Sequence, residues 1–305
     1  MVRLRVRPGR LLLPVTLAVA TLVGGCLPAG ATDSPSPSPV GPVPALDHVW
    51  VIVLENKGYE RIVGSPDAPF LNSLIGRGGL ADAYHGVGRP SQPNYLALFS
   101  GSTQGVTDND PHDIDAPTVA DQLEAAGLTW REYAENVPDG CFAGATAEGG
   151  RDGTGQYARK HAPAISFTAI AGDPSRCSNI SDLTAFDPAA AAFELIIPDM
   201  CHSMHDCSIA EGDAWLADFV PRITDSTTFR DGGVLFVVFD EGDPGDSGGG
   251  RPPAIVVSPR VAPGTVSGRS HDHFSLLRTI EDAFGLDCLA LACDGEPMAE
   301  FFTRP

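Results

Sequence analysis

Short apolar runs alternate with amphipathic stretches along most of the chain, and this alternation predicts strands and helices in turn. Continuous apolar runs and alternating segments predict strands at 48–54, 128–134, 193–199, 232–243 and 253–258. Helical spacing and capping residues predict helices at 68–79, 93–101, 118–127, 211–223 and 271–285. Strands that alternate with helices are typical of an α/β domain, so we expect a mainly parallel sheet flanked by helices.

The start of the chain lacks this alternation. Residues 1–31 combine an arginine-rich stretch with an apolar run too short for a membrane span, which is typical of a signal peptide. The run LVGGC resembles a lipobox that would lipidate Cys26, whereas the small residues AGA would allow cleavage after Ala31. Residues 32–46 are rich in proline and serine and predict an extended linker before a folded domain at 47–305. We therefore expect an exported protein, either lipid-anchored to the outer face of the cell membrane or secreted.

A loop-rich segment at 135–192 interrupts the regular pattern, and its Gly, Ala, Ser and Asp content predicts a cap or insertion.

Six cysteines follow the predicted signal peptide, and an even number in an exported protein indicates disulfides. Six cysteines allow about 15 pairings, and each bridge would stabilise the fold by roughly 2–4 kcal/mol. The pairs that we favour are Cys141–Cys177, Cys201–Cys207 and Cys288–Cys293. Zinc binding is the weaker alternative, because the chain has no CxxC motif.

The charge balance limits the partners that this protein can have. The formal net charge is −19, and it becomes −23 once the four arginines of the predicted signal peptide are removed. Such an acidic protein is a poor partner for nucleic acid, whose phosphates attract basic surfaces. An anionic substrate would also be repelled unless a local positive charge reverses the field at its site. The composition therefore gives a first indication of a bound cation.

Polar side chains end or follow several of the predicted strands. Glu55 and Asn56 follow the first strand, Asp199 ends a second, and Asp240 and Glu241 lie near the end of a third. If these strands are neighbours, their side chains converge at one edge of the sheet, where ligands of α/β proteins bind. Clustered carboxylates repel one another unless a cation compensates them. Any one of these acids could be a solvated loop residue, but together they predict a site for Ca²⁺, Mg²⁺, Mn²⁺ or Fe rather than a structural zinc.

The stretch GVGRPSQPNY contains a candidate nucleophile. Ser91 stands just before a predicted helix, where backbone N–H groups and the helix dipole favour an anion. With a metal at hand, its hydroxyl could attack an ester; alone, it could simply cap the helix. Asn94 could donate to an anionic oxygen or cap the same turn.

Two histidines lie in a loop bounded by cysteines, PDMCHSMHDC. His202 and His205 could bind metal, contact an anionic substrate or protonate a leaving group. His271 and His273, at the start of the last predicted helix, form a weaker pair of candidates. Four further histidines have no supporting context, and we interpret them as structural: His48, His85, His112 and His161.

Successive blocks of the sequence resemble the bacterial phosphoesterase family. The blocks are HVWVIVLENKGYERIVGSPDAPFLNSL, RPSQPNYLALFSGSTQGVTDND, DMCHSMHDCSIAEGDAWL, VVFDEGD and HDHFSLLRTIEDAFGL. They occur in order between about 47 and 286, leaving out much of 135–192. The family includes secreted acid phosphatases and phosphatidylcholine-type phospholipases C, and it is related in fold to alkaline phosphatase. The resemblance therefore implies an alkaline-phosphatase-like fold and phosphoester hydrolysis.

The resemblance also implies roles for particular residues. The Glu55–Asn56 and Asp240–Glu241 pairs correspond to metal ligands, and Ser91 corresponds to the nucleophile. His205 and His273 stand where relatives contact phosphate.

This chain departs from its relatives at three positions. Arg89 replaces a frequent histidine and could clamp phosphate through two hydrogen bonds. Asp199 stands where relatives often have asparagine, and Ser203 where they often have aspartate. These two changes leave open the details of the histidine loop, in which Asp199 is a candidate substrate-binding residue, and whether a second metal is held.

Together these observations predict an exported, metal-dependent acid phosphatase that hydrolyses phosphate monoesters through a phosphoserine. His205 or His202 would protonate the leaving group. Phosphoinositides and other small phosphorylated or phospholipid substrates are the candidate ligands, and zinc joins the hard cations as a candidate metal. A phospholipase C or phosphodiesterase using the same site is the first alternative. A Ser-His-Asp acyl hydrolase, for which the G-x-S-x-G elbow is missing, and a non-enzymatic surface binding lipoprotein are the others.

Overall fold

A large mixed sheet organises the residues that the computed structural model describes, which are 41–148 and 156–304. The strands in these ranges are β1 (Val49–Leu54), β2 (Gly79–His85), β3 (Trp130–Ala134), β4 (Thr146–Glu148), β5 (Gln156–Ala158), β6 (Ile180–Ser181), β7 (Phe193–Ile197), β8 (Val234–Phe239), β9 (Ala254–Val257) and β10 (Thr265–Asp272). Eight of them form the main sheet in the order β10-β2-β9-β8-β1-β7-β3-β6, and β4 and β5 form a separate hairpin.

All neighbouring strands of the main sheet run parallel except at β9, which is antiparallel to β8 and β2. The central strands β1 and β8 are buried along their whole length. This burial explains why they appear in the sequence as continuous apolar runs, since a parallel sheet is covered on both faces. The mainly parallel α/β sheet predicted from the sequence is confirmed.

Helices cover both faces of the sheet. The α-helices in the described ranges are α1 (Tyr59–Ile62), α2 (Pro69–Arg77), α3 (Ser91–Ser100), α4 (Val119–Ala125), α5 (Thr168–Ala171), α6 (Pro174–Cys177), α7 (Ile209–Phe219), α8 (Pro221–Thr224), α9 (Thr227–Arg230) and α10 (His273–Phe284). Short 3₁₀ turns occur at Arg159–His161, Ala164–Ser166, Leu183–Ala185, Ala290–Asp294 and Ala299–Phe301. Alternate residues of β1 enter two apolar clusters, one shared with α3, α4 and α10 and the other with α2 and α7. The sheet is therefore packed against helices on both of its faces.

The three disulfide pairs predicted from the sequence are confirmed. They join Cys141 to Cys177, Cys201 to Cys207 and Cys288 to Cys293. The first closes part of the segment 135–192, which contributes the hairpin β4–β5 and the edge strand β6. The second closes the histidine loop, which follows β7.

The predicted signal peptide, Cys26 and most of the predicted linker lie outside the described residues. Val43 and Leu46, near the end of the predicted linker, are buried in the core. The backbone N–H of Leu46 donates to the carbonyl of Ala283 at 3.1 Å, so packing begins before residue 47. Within the described residues, no helix combines the length and apolar composition that a membrane crossing requires.

Candidate active site

The carboxyl edge of the main sheet gathers most of the predicted site residues. The strands β8, β1 and β7 are adjacent and parallel, so the residues that follow them emerge side by side. Asp240 follows β8, Glu55 follows β1, and Asp199 lies two residues beyond β7. The chain after β2 reaches the same region and begins α3 at Ser91.

Glu55 is fully buried and lies at the centre of this group. Its Oε2 accepts hydrogen bonds from Ser91 Oγ and from Asn56 Nδ2, both at 2.9 Å. Its Oε1 accepts from the Tyr95 hydroxyl and lies 3.1 Å from His161 Nε2. The predicted nucleophile is therefore in direct contact with a predicted metal ligand.

The backbone turns at Asn56, which has a φ of +55°. Asparagine tolerates this left-handed conformation better than most residues. Successive strand residues point to opposite faces, so the turn is what lets Glu55 and Asn56 serve the same site. The Asn56 N–H donates to Asp240 Oδ1 at 2.9 Å and ties the ends of β1 and β8 together.

Glu55, Asp240 and Glu241 form a buried group that we call the acid cluster. Burial raises the pKa of Asp240 to about 6 and of Glu241 to about 7, and burial with the Asp240 charge raises the pKa of Glu55 well above its usual range. Asp240 Oδ2 and Glu241 Oε2 are buried without a hydrogen-bond partner in the described residues. Unpaired buried carboxylate oxygens fit a divalent cation, which would remove both the repulsion and the unsatisfied bonding.

Arg89 contacts the acid cluster, which differs from its predicted role as a phosphate clamp. Its Nη1 donates to Glu241 Oε1 at 3.0 Å. Its Nη2 donates to the carbonyls of Gly242 and Asp243. Both terminal nitrogens of the guanidinium are thus bonded to protein atoms, and Arg89 ties the start of α3 to the loop after β8.

Asn94 holds the loop that leads to Ser91. Its Oδ1 accepts from the N–H groups of Val87 and Gly88, and its Nδ2 donates to the carbonyls of Gly88 and Pro90. Of the two roles considered for Asn94 from the sequence, capping the turn and donating to an anion, the first therefore explains the contacts of its amide better.

His273 is also engaged by protein atoms through both ring nitrogens. Its Nε2 lies 2.6 Å from the Asp240 carbonyl and must donate to it, while Nδ1 lies 2.9 Å from the Tyr84 hydroxyl. Burial lowers the pKa of His273, in keeping with a neutral ring. The predicted contact with phosphate is not available to this ring, which instead positions the Asp240 backbone.

The two histidines of the cysteine-closed loop belong to different clusters. The ligand nitrogens of His205 and His161 and an oxygen of Glu55 lie within 4.8 Å of one another. His205 Nδ1 lies 2.6 Å from Asp206 Oδ1, and Nε2 lies 3.1 Å from Lys160 Nζ. Burial lowers the pKa of His205, against the effect of Asp206. Of the two candidates, His205 is the one that lies beside Glu55.

His202 lies instead with Asp199 and Glu135, near the ends of β7 and β3. Its Nδ1 is 2.8 Å from Glu135 Oε2, and its ring stacks on Trp215. Asp199 Oδ1 accepts from the N–H groups of Cys201 and His202, so this carboxylate caps the histidine loop. These residues line a cavity of about 350 Å³, which we call the His202 cavity.

Four residues of the site were not predicted from the sequence: Lys57, Tyr95, Lys160 and His161. His161, interpreted above as structural, contacts Glu55 and stacks on Tyr95 with ring centroids 5.2 Å apart. Burial lowers its pKa well below the usual range, so the ring is neutral. The sequence offered one indication of the lysines, because the chain has only 2 lysines against 18 arginines. Both lysines lie in this site. Lys57 Nζ donates to the carbonyl of Met204 at 2.7 Å in the histidine loop.

Comparison with known proteins gives consistent matches. The sequence profile of the Phosphoesterase family matches residues 65–287. A phosphatidylinositol-3-phosphatase of Mycobacterium tuberculosis is 32% identical over 262 residues, covering 85% of this chain and 84% of that protein. An acid phosphatase of Aspergillus fumigatus is 27% identical over 255 residues, covering 80% of this chain but 56% of that longer protein.

Among solved structures, a Vibrio parahaemolyticus protein of the alkaline phosphatase superfamily superposes with a TM-score of 0.54 at 12% sequence identity. The superposition covers 82% of this chain and 70% of that one. At this identity the similarity concerns the fold alone, and it confirms the alkaline-phosphatase-like architecture expected from the sequence.

Proposed function

This chain belongs to the phosphoesterase family, and from that membership we propose that it is an exported, metal-dependent acid phosphatase acting on phosphate monoesters. The observation that carries the proposal is the contact between Ser91 Oγ and Glu55 Oε2 at 2.9 Å, beside two unpaired carboxylate oxygens. The similarity to named phosphatases supports phosphoric-ester hydrolysis, and the mycobacterial relative suggests phosphoinositides as substrates. The amino-terminal sequence supports export, with Cys26 as a lipidation site.

The residues that would hold a divalent cation are Glu55, Asn56, Asp240 and Glu241. When bound, such a cation would stabilise the charge on the phosphoryl group and lower the pKa of a neighbouring hydroxyl. Hydrolysis of phosphate monoesters requires accelerations of up to about 10²¹-fold, whereas a positioned acid or base contributes about 10²–10⁴. One acid or base therefore leaves most of the required rate acceleration unexplained. A cation held by the acid cluster could supply a large share of it.

Ser91 acts as the nucleophile in this proposal. Its hydroxyl donates to Glu55 Oε2, and in the proposed reaction this oxygen receives the proton as Oγ attacks phosphorus. The bond from Oγ to phosphorus forms while the bond from phosphorus to the ester oxygen breaks. His205, beside Glu55, acts in its imidazolium form: it donates a proton to the departing alkoxide and is left neutral. A water molecule then attacks phosphorus and gives its proton to His205, while the bond from phosphorus to Oγ breaks and Oγ recovers its proton from Glu55.

The test is hydrolysis of p-nitrophenyl phosphate and bis-p-nitrophenyl phosphate by the purified protein, before and after chelation and with each metal added back. We expect the monoester to be the better substrate, activity to fall on chelation, and a divalent metal to restore it. A preference for the diester would favour a phosphodiesterase using the same site. Absence of hydrolysis on both substrates under all metal conditions would contradict the proposal.

A further inference from the structure

A second cavity, of about 250 Å³, lies beside Lys160, and we call it the Lys160 cavity. Among the described residues, its polar wall consists of Asn109, Thr146, Gln156, Arg159 and Lys160, and none of the described lining residues carries a carboxylate. One water molecule takes up about 30 Å³ of liquid volume, so the cavity has room for a phosphate group and part of its carrier. In a chain of net charge −19, a wall whose described residues include two cations and no acid is suited to an anion.

The Lys160 cavity adjoins the proposed reaction centre from two sides. Lys160 Nζ lies 3.1 Å from Nε2 of His205, the proposed leaving-group acid. On the other side, Asn109 Oδ1 accepts from the backbone N–H of Gln92, the residue after Ser91, at 3.1 Å. Two residues of the cavity wall thus contact the reaction centre, Asn109 at the residue after Ser91 and Lys160 at the proposed leaving-group acid.

The two cations of the Lys160 cavity differ in how far protein atoms already engage them. Arg159 is largely engaged: it pairs with Asp113 through Nη2 at 2.9 Å and donates to the carbonyls of Ala143 and His112, and in the described residues its Nε is buried without a partner. Within the same ranges, Lys160 forms no ion pair with a carboxylate; its ammonium contacts His205 Nε2. A half-buried ammonium of this kind can donate two or more further hydrogen bonds to a ligand anion.

We propose that the Lys160 cavity binds a second anionic group carried by the leaving alcohol, so that the preferred substrates are monoesters of alcohols bearing another phosphate or phosphodiester. Lys160 supplies the charge-assisted hydrogen bond to that group, and Thr146 and Gln156 offer hydrogen bonds to hydroxyls of its carrier. This inference rests on the proposed phosphatase function. A free phosphorylated polyol and an inositol lipid headgroup share this chemistry.

The test compares kcat/KM for three soluble substrates: inositol 3-phosphate, inositol 1,3-bisphosphate and dioctanoyl phosphatidylinositol 3-phosphate. The first lacks the second anion, the second has it as a phosphate, and the third has it as a phosphodiester. In Lys160→Gln we expect the preference for the bisphosphate over the monophosphate to fall about tenfold or more, since a charged hydrogen bond is lost. Lys160→Arg should keep most of that preference, because it keeps the positive charge.

The lipid arm identifies the source of the second anion. A parallel loss on dioctanoyl phosphatidylinositol 3-phosphate supports recognition of a lipid phosphodiester, and a loss confined to the bisphosphate supports recognition of a free phosphate. Equal losses on all three substrates would mean that Lys160 contacts the transferred phosphoryl group, and unchanged kcat/KM values on all three would mean that it contacts neither. Either result overturns the inference while leaving the phosphatase function intact.

Two further variants guard against a folding effect. Thr146→Glu places a carboxylate at an exposed position of the cavity wall, and it should lower the same preference without removing Lys160. Arg230→Gln removes an exposed cation of α9, which precedes β8 and so lies towards the opposite edge of the sheet; the preference should be unchanged. If the wild-type protein hydrolyses none of the three substrates or p-nitrophenyl phosphate, both this inference and the proposed function fail.

Discussion

Two regions form the candidate site, and they differ in charge. The carboxyl edge of the sheet contributes acids, whereas the segment 135–192 contributes a cation and a neutral ring. The sheet edge supplies the buried acid cluster, with two carboxylate oxygens left unpaired. The segment supplies Lys160 and a neutral His161. The difference suggests a division of labour, in which the sheet edge carries out the chemistry and the segment selects the substrate. Changes at the sheet edge should therefore abolish turnover, whereas changes in the segment should alter preference or stability.

The largest effect is expected at the nucleophile. Ser91→Ala removes the attacking oxygen and should reduce kcat on p-nitrophenyl phosphate by about 10³-fold or more. The melting temperature should change little, since the substitution removes one hydroxyl from an intact helix. Ser100→Ala, in the last position of α3, is the matched control and should remain active. Near-normal activity in Ser91→Ala would remove Ser91 from the reaction.

The next largest effect is expected at a metal ligand. Asp240→Asn keeps the side-chain oxygen that accepts from Asn56 but removes a negative charge, so the protein should lose bound metal and about 10²–10³-fold in activity. Elemental analysis of the purified protein measures the metal directly. Asp243→Asn, in the same loop but partly exposed, should keep its metal. An unchanged metal content in Asp240→Asn would contradict the assignment of the acid cluster.

The histidine loop offers a matched pair of variants within one disulfide-closed turn. His205→Gln should lower kcat by about 10²-fold or more, because it removes the acid beside Glu55. His202→Gln should have a much smaller effect, because that ring contacts Glu135 and Asp199 rather than the acid cluster. Poor leaving groups should show the larger His205 effect, since a good leaving group such as p-nitrophenolate needs little protonation. The reverse ranking of the two variants would exchange their roles.

The smallest effect concerns stability where the segment meets the sheet. Glu132 of β3 accepts from the Ala164 N–H at 3.0 Å, and burial raises its pKa to about 8. The folded state therefore binds a proton that the unfolded state has released between about pH 4.5 and 8, so this residue makes stability fall as pH rises through that range. Glu132→Gln should remove that part of the decline and gain at least about 1 kcal/mol at pH 8 relative to pH 5.

Denaturant unfolding at pH 5 and pH 8 measures this difference. Glu148→Gln, at an exposed position of the hairpin, is the control and should keep the wild-type slope. If the free energy of unfolding of Glu132→Gln changes between pH 5 and pH 8 by as much as that of the wild type, Glu132 has an ordinary pKa and the prediction is wrong.

The sequence predicted the sheet edge better than the segment, and the reasons are physical. The buried strands β1 and β8 appear as apolar runs, so the acids that follow them could be assigned to one edge. The strands β2 and β10 were missed, because β2 is rich in alanine and β10 is an edge strand with Val266 61% exposed. Neither strand has the apolar run or the alternation that would have identified it.

The partners of individual side chains were harder to predict than the strands. Lys160 and His161 come from a segment without periodicity, so nothing local placed them beside Glu55. Tertiary packing brings Arg89 to Glu241, which lies 152 residues away in the sequence. It also brings His273 to the Asp240 carbonyl. Such long-range contacts decide whether a polar side chain faces substrate or protein, and one sequence does not reveal them.

The most direct test of the account is to trap the covalent intermediate. The protein is mixed with substrate, quenched in acid within the first turnovers, digested and mapped by mass spectrometry. We predict one phosphorylated residue, Ser91, which appears with substrate and is missing from Ser91→Ala. Phosphate on a different residue, or turnover with no phosphorylated peptide at any quench time, would contradict the central claim that the sheet edge presents Ser91 to the phosphoryl group.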